Sequence, residues 1–373
     1  MSRRILTAII TLLVIALLIG TAFLLVHLIF PENRIVSPKI EPVVPTGLPI
    51  PVSSTYPFQN GTVTITVSAN RSVYEGAKNA EKSVTIIGNI TESVWIAESY
   101  RAMIDDPAQE PLYRELLTGF RAIRQEENLD SDEYLELIAV YVQSLQYETT
   151  GKNPAKFPIE TVVDHSGDCD DKSLLLAGLL SREGYAVALL TFGEENHMAV
   201  GIGAEDCRYR DTMFTFLETT NVSFVGIAPN NLVSDLPLRS APFIIPVGEG
   251  TTNYTACTET RYIHEMLAES EQQANKLQSR LLAMEGELND SREEIRAMEK
   301  QLQDLKIWGD FRNYNAGVAT YNARISSHND LLRMYRQNSS RYESYVSIHN
   351  YIISHEFDRK GVYQFTRTNM PAY

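Results

Sequence analysis

Cys169 is a nucleophilic residue at a position that favours its use. It lies in the run GDCDDK (167–172), before the apolar run SLLLAGLLSREGY, and the pattern predicts a helix over about 170–182. We expect Asp168 to be the N-cap of this helix, with Asp171 as its capping-box partner. Unpaired N–H groups at a helix N-terminus favour a thiolate and can bind an oxyanion. The neighbouring carboxylates oppose the thiolate, so activation requires a cationic partner; a buried, unreactive thiol is the alternative.

A histidine and a carboxylate follow on successive predicted strands. His197 opens the strand HMAVGIGA after a loop, and Glu218 lies in the otherwise apolar run FTFLETT. A buried Glu needs a partner, which an imidazole N–H can provide. Cys169, His197 and Glu218 therefore form a series of nucleophile, base and orienting acid. Each residue taken alone is compatible with a purely structural role.

The surrounding pattern predicts an α+β domain. Helices are expected at about 93–104, 111–127 and 131–146, the last after the N-cap signal DSDE (130–133). Four strands are expected after the cysteine helix, in the runs YAVALLTF, HMAVGIGA, MFTFLETT and SFVGIAP. One helix that leads into a run of strands with short turns favours α+β over a doubly wound parallel sheet.

The run from about Asp130 to Pro246 resembles the transglutaminase-like superfamily of papain-type cysteine enzymes. GDCDDKSLLLAGLL and the strand NHMAVGI carry the resemblance, and FTFLETT carries it more weakly. It implies a nucleophile helix packed on an antiparallel sheet, and attack on an amide or peptide carbonyl through a thioester, resolved by water or an amine. It implies Cys169 as nucleophile, His197 as general base and acid, and Glu218 as the orienting acid. Because the family commonly has Asp in the third position, Asp211 is the reserve.

Two points stay open at the level of sequence. A side-chain oxyanion donor from the preceding helix could be Gln143 or Gln146, although a solvent-facing glutamine is the alternative for each. Cys207 and Cys257 could be free or could form a disulfide that closes a loop of about 50 residues, worth about 4 kcal/mol in the chain-entropy model.

Composition excludes several other classes of protein. The chain has 373 residues and a net charge of −14, with 44% hydrophobic residues, so it can bury a core. An acidic chain without a Lys/Arg block is not expected to bind nucleic acid. Three cysteines are too few for a four-thiolate zinc site, and Asp164, Asp168 and Asp170 do not have EF-hand spacing. No metal and no cofactor are predicted.

The N-terminal region predicts a membrane protein. Residues 5–30 are predicted to be an uncleaved transmembrane anchor, with a cleaved signal peptide as the alternative. Arg3 and Arg4 place the N-terminus in the cytoplasm and the catalytic domain outside. Residues 31–57 are rich in proline and predict a stalk. A glycoprotein is expected from seven Asn-x-Ser/Thr sequences, at Asn60, Asn70, Asn89, Asn221, Asn253, Asn289 and Asn338.

The remaining regions are an N-terminal strand and helical extension (58–129), the transglutaminase-like domain (130–250), a coiled-coil hairpin (261–357) and a tail (358–373). A heptad of apolar residues runs from Leu267 to Leu305, and a second, out of register, runs from Phe311 to Ile353. Two such helices, separated by a break at Trp308-Gly309-Asp310, predict an antiparallel hairpin. One long coiled coil that forms oligomers is the alternative.

The expected partners are a protein or peptide amide substrate, the membrane through the single N-terminal helix, and a second copy or another protein through the coiled coil. The alternative function is a non-catalytic binding or scaffold protein that keeps the transglutaminase-like fold and acts through its coiled coil.

Overall fold

The computed structural model of the chain describes residues 3–29, 33–44, 47–148, 154–229, 231–232 and 236–371, without the side chains of 3–8 and 23–29. Over these residues the protein is mixed α/β and mainly helical. Its contacts divide it into two units: unit 1 comprises Met1–Tyr56 and Thr62–Thr255, and unit 2 comprises Pro57–Gly61 and Ala256–Tyr373.

The predicted transmembrane anchor requires correction. Helix α1 (Arg3–Ile29) lies in this region. Among the residues that the structure describes, however, no helix is long and apolar enough to cross a membrane. The part of α1 with described side chains, residues 9–22, is exposed. The predicted α+β fold with a membrane-spanning helix and the single-pass localisation in the membrane are therefore wrong. The placement of the N-terminus in the cytoplasm and of the catalytic domain outside, which depended on that helix, is wrong with them.

Part of the segment expected to be a stalk is packed within unit 1. Ile40 is 2% exposed, and its N–H donates to Asp106 Oδ2 at 2.8 Å. The elements of this first part of the chain are β1 (Arg34–Val36), which pairs antiparallel with β4 (Thr85–Ile87), β2 (Ile50–Phe58), which pairs with β3 (Gly61–Ala69), and the helices α2 (Arg71–Asn79), α3 (Glu92–Ile104), a 3-10 turn (Pro107–Gln109) and α4 (Glu110–Glu126).

The second half of unit 1 contains a four-stranded antiparallel sheet. Its strand order is β10-β7-β8-β9. A separate two-residue parallel pair joins β5 to β6. The elements are α5 (Ser131–Gln143), β5 (Gln146–Tyr147), α6 (Pro158–Asp164), β6 (Ser166–Gly167), α7 (Cys169–Arg182), β7 (Val187–Phe192), β8 (His197–Gly203), β9 (Phe214–Leu217) and β10 (Phe243–Val247).

Helix α7 lies at the centre of unit 1. It packs against α3, α4, α5 and α6, and also against β7, β8 and β10. Its leucines are buried on every side, which explains why its sequence is apolar all round instead of amphipathic. Gly178 permits the close approach of α4, because a Cβ at this position would collide with the ring of Tyr113.

The fourth predicted strand, SFVGIAP, is wrong. Gly226 has φ +98°, and Ile227 N–H donates to Phe224 O at 3.3 Å, so this run forms a turn. The fourth strand of the sheet is β10, which pairs with the opposite edge at β7.

Unit 2 is built on two long helices, α8 (Cys257–Ile307) and α9 (Phe311–Ser354), and a short α10 (Arg359–Asn369). Residues progressively later in α8 contact residues progressively earlier in α9, so the two helices are antiparallel. The contacts that show this are Asn338 Nδ2 to Met284 Sδ at 3.3 Å, His328 Nδ1 to Ser291 Oγ at 3.1 Å, and Arg324 to Glu294. Gly309 lies between the helices with φ +76°, a conformation that suits glycine at a helix end.

The buried seam of the hairpin follows the predicted heptad in α8 and departs from it in α9. Ser270, Leu277, Met284, Leu288 and Ser291 are buried, and all are predicted a or d positions. In α9 the buried residues Asn338, Tyr345 and Ile352 each precede a predicted seam position by one residue. Helix α10, in the predicted tail, packs on both arms, with Phe365 stacked on Tyr351 at 3.8 Å.

Candidate functional site

The N-terminus of α7 is fixed by the predicted capping box. Asp168 Oδ1 accepts from the N–H groups of Asp170 and Asp171 at 3.0 and 3.2 Å. Asp171 Oδ2 in turn accepts from Asp168 N–H at 3.1 Å. Cys169 is therefore the first residue of the helix, and it is buried, with 7% of its surface exposed.

The open edge of β8 brings Cys169 to Met198, the residue that follows His197. Strand β9 pairs with β8 only from Val200 to Gly203, so it leaves Met198 without a strand partner on that side. Helix α7 takes this place: Met198 N–H donates to Cys169 Sγ, and Ser173 Oγ donates to Met198 O at 3.3 Å. Because His197 directly precedes Met198, the point at which β9 ends determines which residues of β8 lie near Cys169.

Glu218 lies next to His197 directly after β9. Its Oε2 is 3.4 Å from His197 Nε2, and both side chains are buried. This contact is longer than a charge-assisted hydrogen bond, and Nε2 makes no hydrogen bond to any described residue. Oε1 accepts from Thr219 N–H, Thr220 N–H and Thr220 Oγ1 at 2.9, 2.9 and 2.8 Å. Burial raises the pKa of Glu218, but His197 and the Thr220 donors outweigh it and lower that pKa overall.

The reserve residue Asp211 is exposed in the turn before β9. No described contact connects it to His197, so the structure places Glu218, and not Asp211, beside the imidazole.

The surroundings of Cys169 favour the protonated thiol. Burial, the Asp170 carboxylate 3.5 Å from Sγ, and Asp168 raise the pKa of Cys169 above its usual range, against the opposing effect of Met198 N–H. Burial and Asp168 likewise raise the pKa of Asp170 to about 6. The effect of the helix N-terminus, expected from sequence to favour a thiolate, is therefore outweighed by desolvation and carboxylates.

The two glutamines considered as oxyanion donors lie elsewhere. Gln143 is buried, and its Nε2 donates to Glu218 O at 2.8 Å and to Ser223 O at 3.1 Å. Both of its N–H bonds thus hold the segment after β9, and none is left for a substrate. Gln146 is exposed on β5.

Lys172, one turn after Cys169, connects the backbone segments around the site through hydrogen bonds. It is fully buried, and its Nζ donates to the backbone oxygens of Gln143, Leu145 and Thr220 at 3.0, 2.9 and 3.3 Å. Burial lowers its pKa to about 8, with Glu218 acting in the opposite direction. A lysine directly before the apolar run of this helix is the sequence signal that could have identified it.

A cavity of about 620 Å³ opens beside Asp170 and His197. This volume is in the range of small-molecule and side-chain sites. Its walls combine apolar and polar groups and include no Lys or Arg: Glu92, Ser93, Ile96, Tyr100, Asp170, Thr191, Phe192, Gly193, Asn196, His197, Met198, Ala241 and Phe243. Sequence reasoning missed Tyr100, because only the tertiary fold brings α3 to the cysteine.

The other two cysteines, Cys207 and Cys257, are disulfide-bonded, so Cys169 is the free thiol. In the described part of the chain, no three or more His, Cys, Asp or Glu residues form a group that could hold a metal ion. Asn338, in one of the seven glycosylation sequences, is 8% exposed in the seam, where a glycan has no room.

Comparison of the chain with protein-family models, curated proteins and solved structures finds no match. A functional conclusion therefore rests on the residues and the geometry of the site.

Proposed function

We propose that this protein is a transglutaminase-like cysteine enzyme that acts on amide or peptide bonds through Cys169, His197 and Glu218. The observation that carries the proposal is the meeting of these residues from three separate elements. Cys169 Sγ accepts from Met198 N–H, next to His197, and His197 Nε2 lies 3.4 Å from Glu218 Oε2. A nucleophile, a base and an orienting acid in this order are the components of acyl transfer.

We assign the roles of the two ring nitrogens of His197 from the position of Glu218. Glu218 faces Nε2 and favours a proton there, which leaves Nδ1 as the base. Nδ1 takes the Sγ proton as Sγ attacks the carbonyl carbon, a C–S bond forms, and the C=O electron pair moves to oxygen. When the tetrahedral adduct collapses, the C–N bond breaks and the imidazolium returns its proton to the leaving amine.

The resulting thioester is resolved by a second nucleophile. Water gives a carboxylic acid, and an amine gives a new amide; in both cases His197 takes the proton of the attacking group and returns it to Sγ. The three residues serve either outcome.

The raised pKa of Cys169 determines how the nucleophile is activated. In the resting protein the thiol is protonated, so attack requires proton transfer to His197 during the reaction and does not start from a preformed ion pair. Substrate that fills the cavity also displaces water from His197 and Asp170, which strengthens the electrostatic effect of both on the reacting atoms.

The test uses p-nitrophenyl acetate, an activated acyl donor that requires little specific binding. We expect a burst of p-nitrophenolate and an acetyl group on Cys169, located by mass spectrometry. Cys169→Ala abolishes both, and His197→Ala slows the burst by about 10²-fold or more, the usual range for loss of a general base. His264→Ala, which changes an exposed histidine on α8, is the matched control and leaves the burst unchanged.

A non-catalytic binding protein is the second candidate, favoured by the buried position and raised pKa of Cys169. Under this alternative, wild-type Cys169 remains unacetylated and p-nitrophenolate release is the same in Cys169→Ala. Absence of acetylation on wild-type Cys169 contradicts the enzyme proposal. Equal p-nitrophenolate release by Cys169→Ala, with unchanged circular dichroism, contradicts it as well.

A further inference from the structure

Tyr147 is held next to the nucleophile by the smallest sheet of unit 1. Strand β5 pairs in parallel with β6, and Tyr147 lies opposite Gly167, two residues before Cys169. The capping box fixes the backbone from Asp168 onward. The position of the Tyr147 backbone is therefore tied to that of Cys169.

The phenol of Tyr147 is near enough to both the nucleophile and the orienting acid to interact electrostatically with each. Cys169, Asp168, Glu218 and Asp170 each act electrostatically on it. Burial, and then these groups, raise the pKa of Tyr147 to about 12, so the phenol keeps its proton at neutral pH and can only donate it in a hydrogen bond. The side chain is half-buried, and its hydroxyl makes no hydrogen bond to a described residue.

A second donor at the same place is the backbone N–H of Cys169. The Asp168 side chain accepts from the next two N–H groups of α7 and not from that of Cys169. No described residue accepts the Cys169 N–H, since the first N–H groups of a helix have no partner within the helix. Oxyanion holes commonly combine such a backbone N–H with one side-chain donor. The glutamine on α5 is not available, since Gln143 Nε2 is committed to two carbonyls.

We propose that Tyr147 Oη and the N–H of Cys169 form the oxyanion hole of this enzyme. The inference rests on the proposed function and names a further catalytic residue for it. As the C–S bond forms and the C=O pair moves to oxygen, the phenol and the N–H donate hydrogen bonds to that oxygen. No proton is transferred, and the pair returns when the C–N bond breaks.

The test compares two reactions of Cys169 in the full-length protein. Acylation by p-nitrophenyl acetate passes through an oxyanion, whereas alkylation by iodoacetamide needs the nucleophile and creates none. Tyr147→Phe is expected to lower the acylation rate about 100-fold, the lower end of the effect of one oxyanion donor, and to leave the alkylation rate unchanged.

Tyr56→Phe is the matched control. The Tyr56 hydroxyl is buried in unit 1 without a hydrogen bond, so this variant also loses a phenolic oxygen, and both rates stay at the wild-type value. An acylation rate in Tyr147→Phe equal to that of the wild type overturns the inference. Acylation and alkylation that fall by the same factor also overturn it, because Tyr147 would then only pack against the nucleophile. Failure of wild-type Cys169 to be acetylated is a different result: it overturns the proposed function, and the inference with it.

Discussion

The N-terminus of α7 and the seam of the helical hairpin both bury polar side chains, but they satisfy them differently. In unit 1, Lys172 Nζ donates to three carbonyls, and Glu218 Oε1 accepts three hydrogen bonds. In the hairpin, Asn338 has a weak sulfur acceptor at 3.3 Å, and His328 has Ser291 Oγ at 3.1 Å. The two regions also differ in how their apolar residues are buried. Helix α7 is enclosed on all sides, whereas α8 and α9 each bury one stripe of residues.

The difference shows two uses of buried polarity. A polar group with several partners fixes the relative positions of the segments that supply them, and this is what a catalytic site requires. A polar group with a single partner in a heptad seam costs stability and selects the register of the two helices. Three substitutions test this comparison, in order of decreasing effect.

Leu176→Ala, in the enclosed part of α7, should have the largest effect. Leu176 is 0% exposed, so its truncation loses buried contacts and leaves a cavity, and we expect a loss of about 2–5 kcal/mol in the free energy of unfolding. Leu282→Ala is the matched control on α8, where Leu282 is 66% exposed, and should stay within about 0.5 kcal/mol of wild type. Urea unfolding followed by Trp95 fluorescence in a Trp308→Phe background measures both. Equal losses would remove the distinction between the two regions.

Lys172→Met should have an intermediate effect, because it leaves three buried carbonyls without a donor. We expect a loss of about 1–3 kcal/mol near neutral pH. The folded state binds the Lys172 proton more weakly, with a pKa of about 8 against 10.5 when unfolded. Between these values the unfolded state binds more protons, so the contribution of Lys172 to stability rises with pH.

This rise should disappear in Lys172→Met, and should be retained in the control Lys300→Met, which changes an exposed lysine on α8. Urea unfolding at about pH 7 and about pH 9.5 covers both sides of the folded-state pKa. The same difference between the two pH values in wild type and Lys172→Met would contradict the assignment.

Asn338→Leu should have the smallest effect, and of the opposite sign. An apolar residue in the seam removes a poorly satisfied amide, so we expect the hairpin to gain about 1 kcal/mol, seen as a higher melting temperature by circular dichroism. Asn275→Leu, at an exposed position on α8, should leave the melting temperature unchanged. A clear loss of stability in Asn338→Leu would show that the seam, like the site, depends on its polar contacts.

The sequence anticipated those parts of the site that depend on neighbouring residues. Asp168 caps α7 with Asp171 as its capping-box partner, and the N-cap signal at 130–133 lies at the start of α5, where Asp130 is the N-cap, as the sequence predicted. The strands that carry His197 and precede Glu218 begin and end within a few residues of their predicted positions. Cap chemistry and hydrophobic periodicity act over one or two turns or a single strand, so they are visible in a linear pattern.

Long-range neighbours set the features that sequence reasoning missed or misplaced. The turn at Gly226, the shift of the seam in α9 and the packing of α10 each reflect contacts with segments distant along the chain. The hydrogen bonds of Gln143 to the segment after β9 depend on how α5 packs against that segment. The position of Tyr147 opposite Gly167 depends on the pairing of β5 with β6.

The same division applies to the chemistry. The order of Cys169, His197 and Glu218 was determined by the sequence and identified by residue type and local pattern. The protonation state of Cys169 was decided only by the tertiary structure, because burial and the carboxylates facing Sγ outweigh the local effect of the helix N-terminus. A local pattern supplies the reactive groups, but desolvation and hydrogen-bond partners depend on every segment that the fold brings to them.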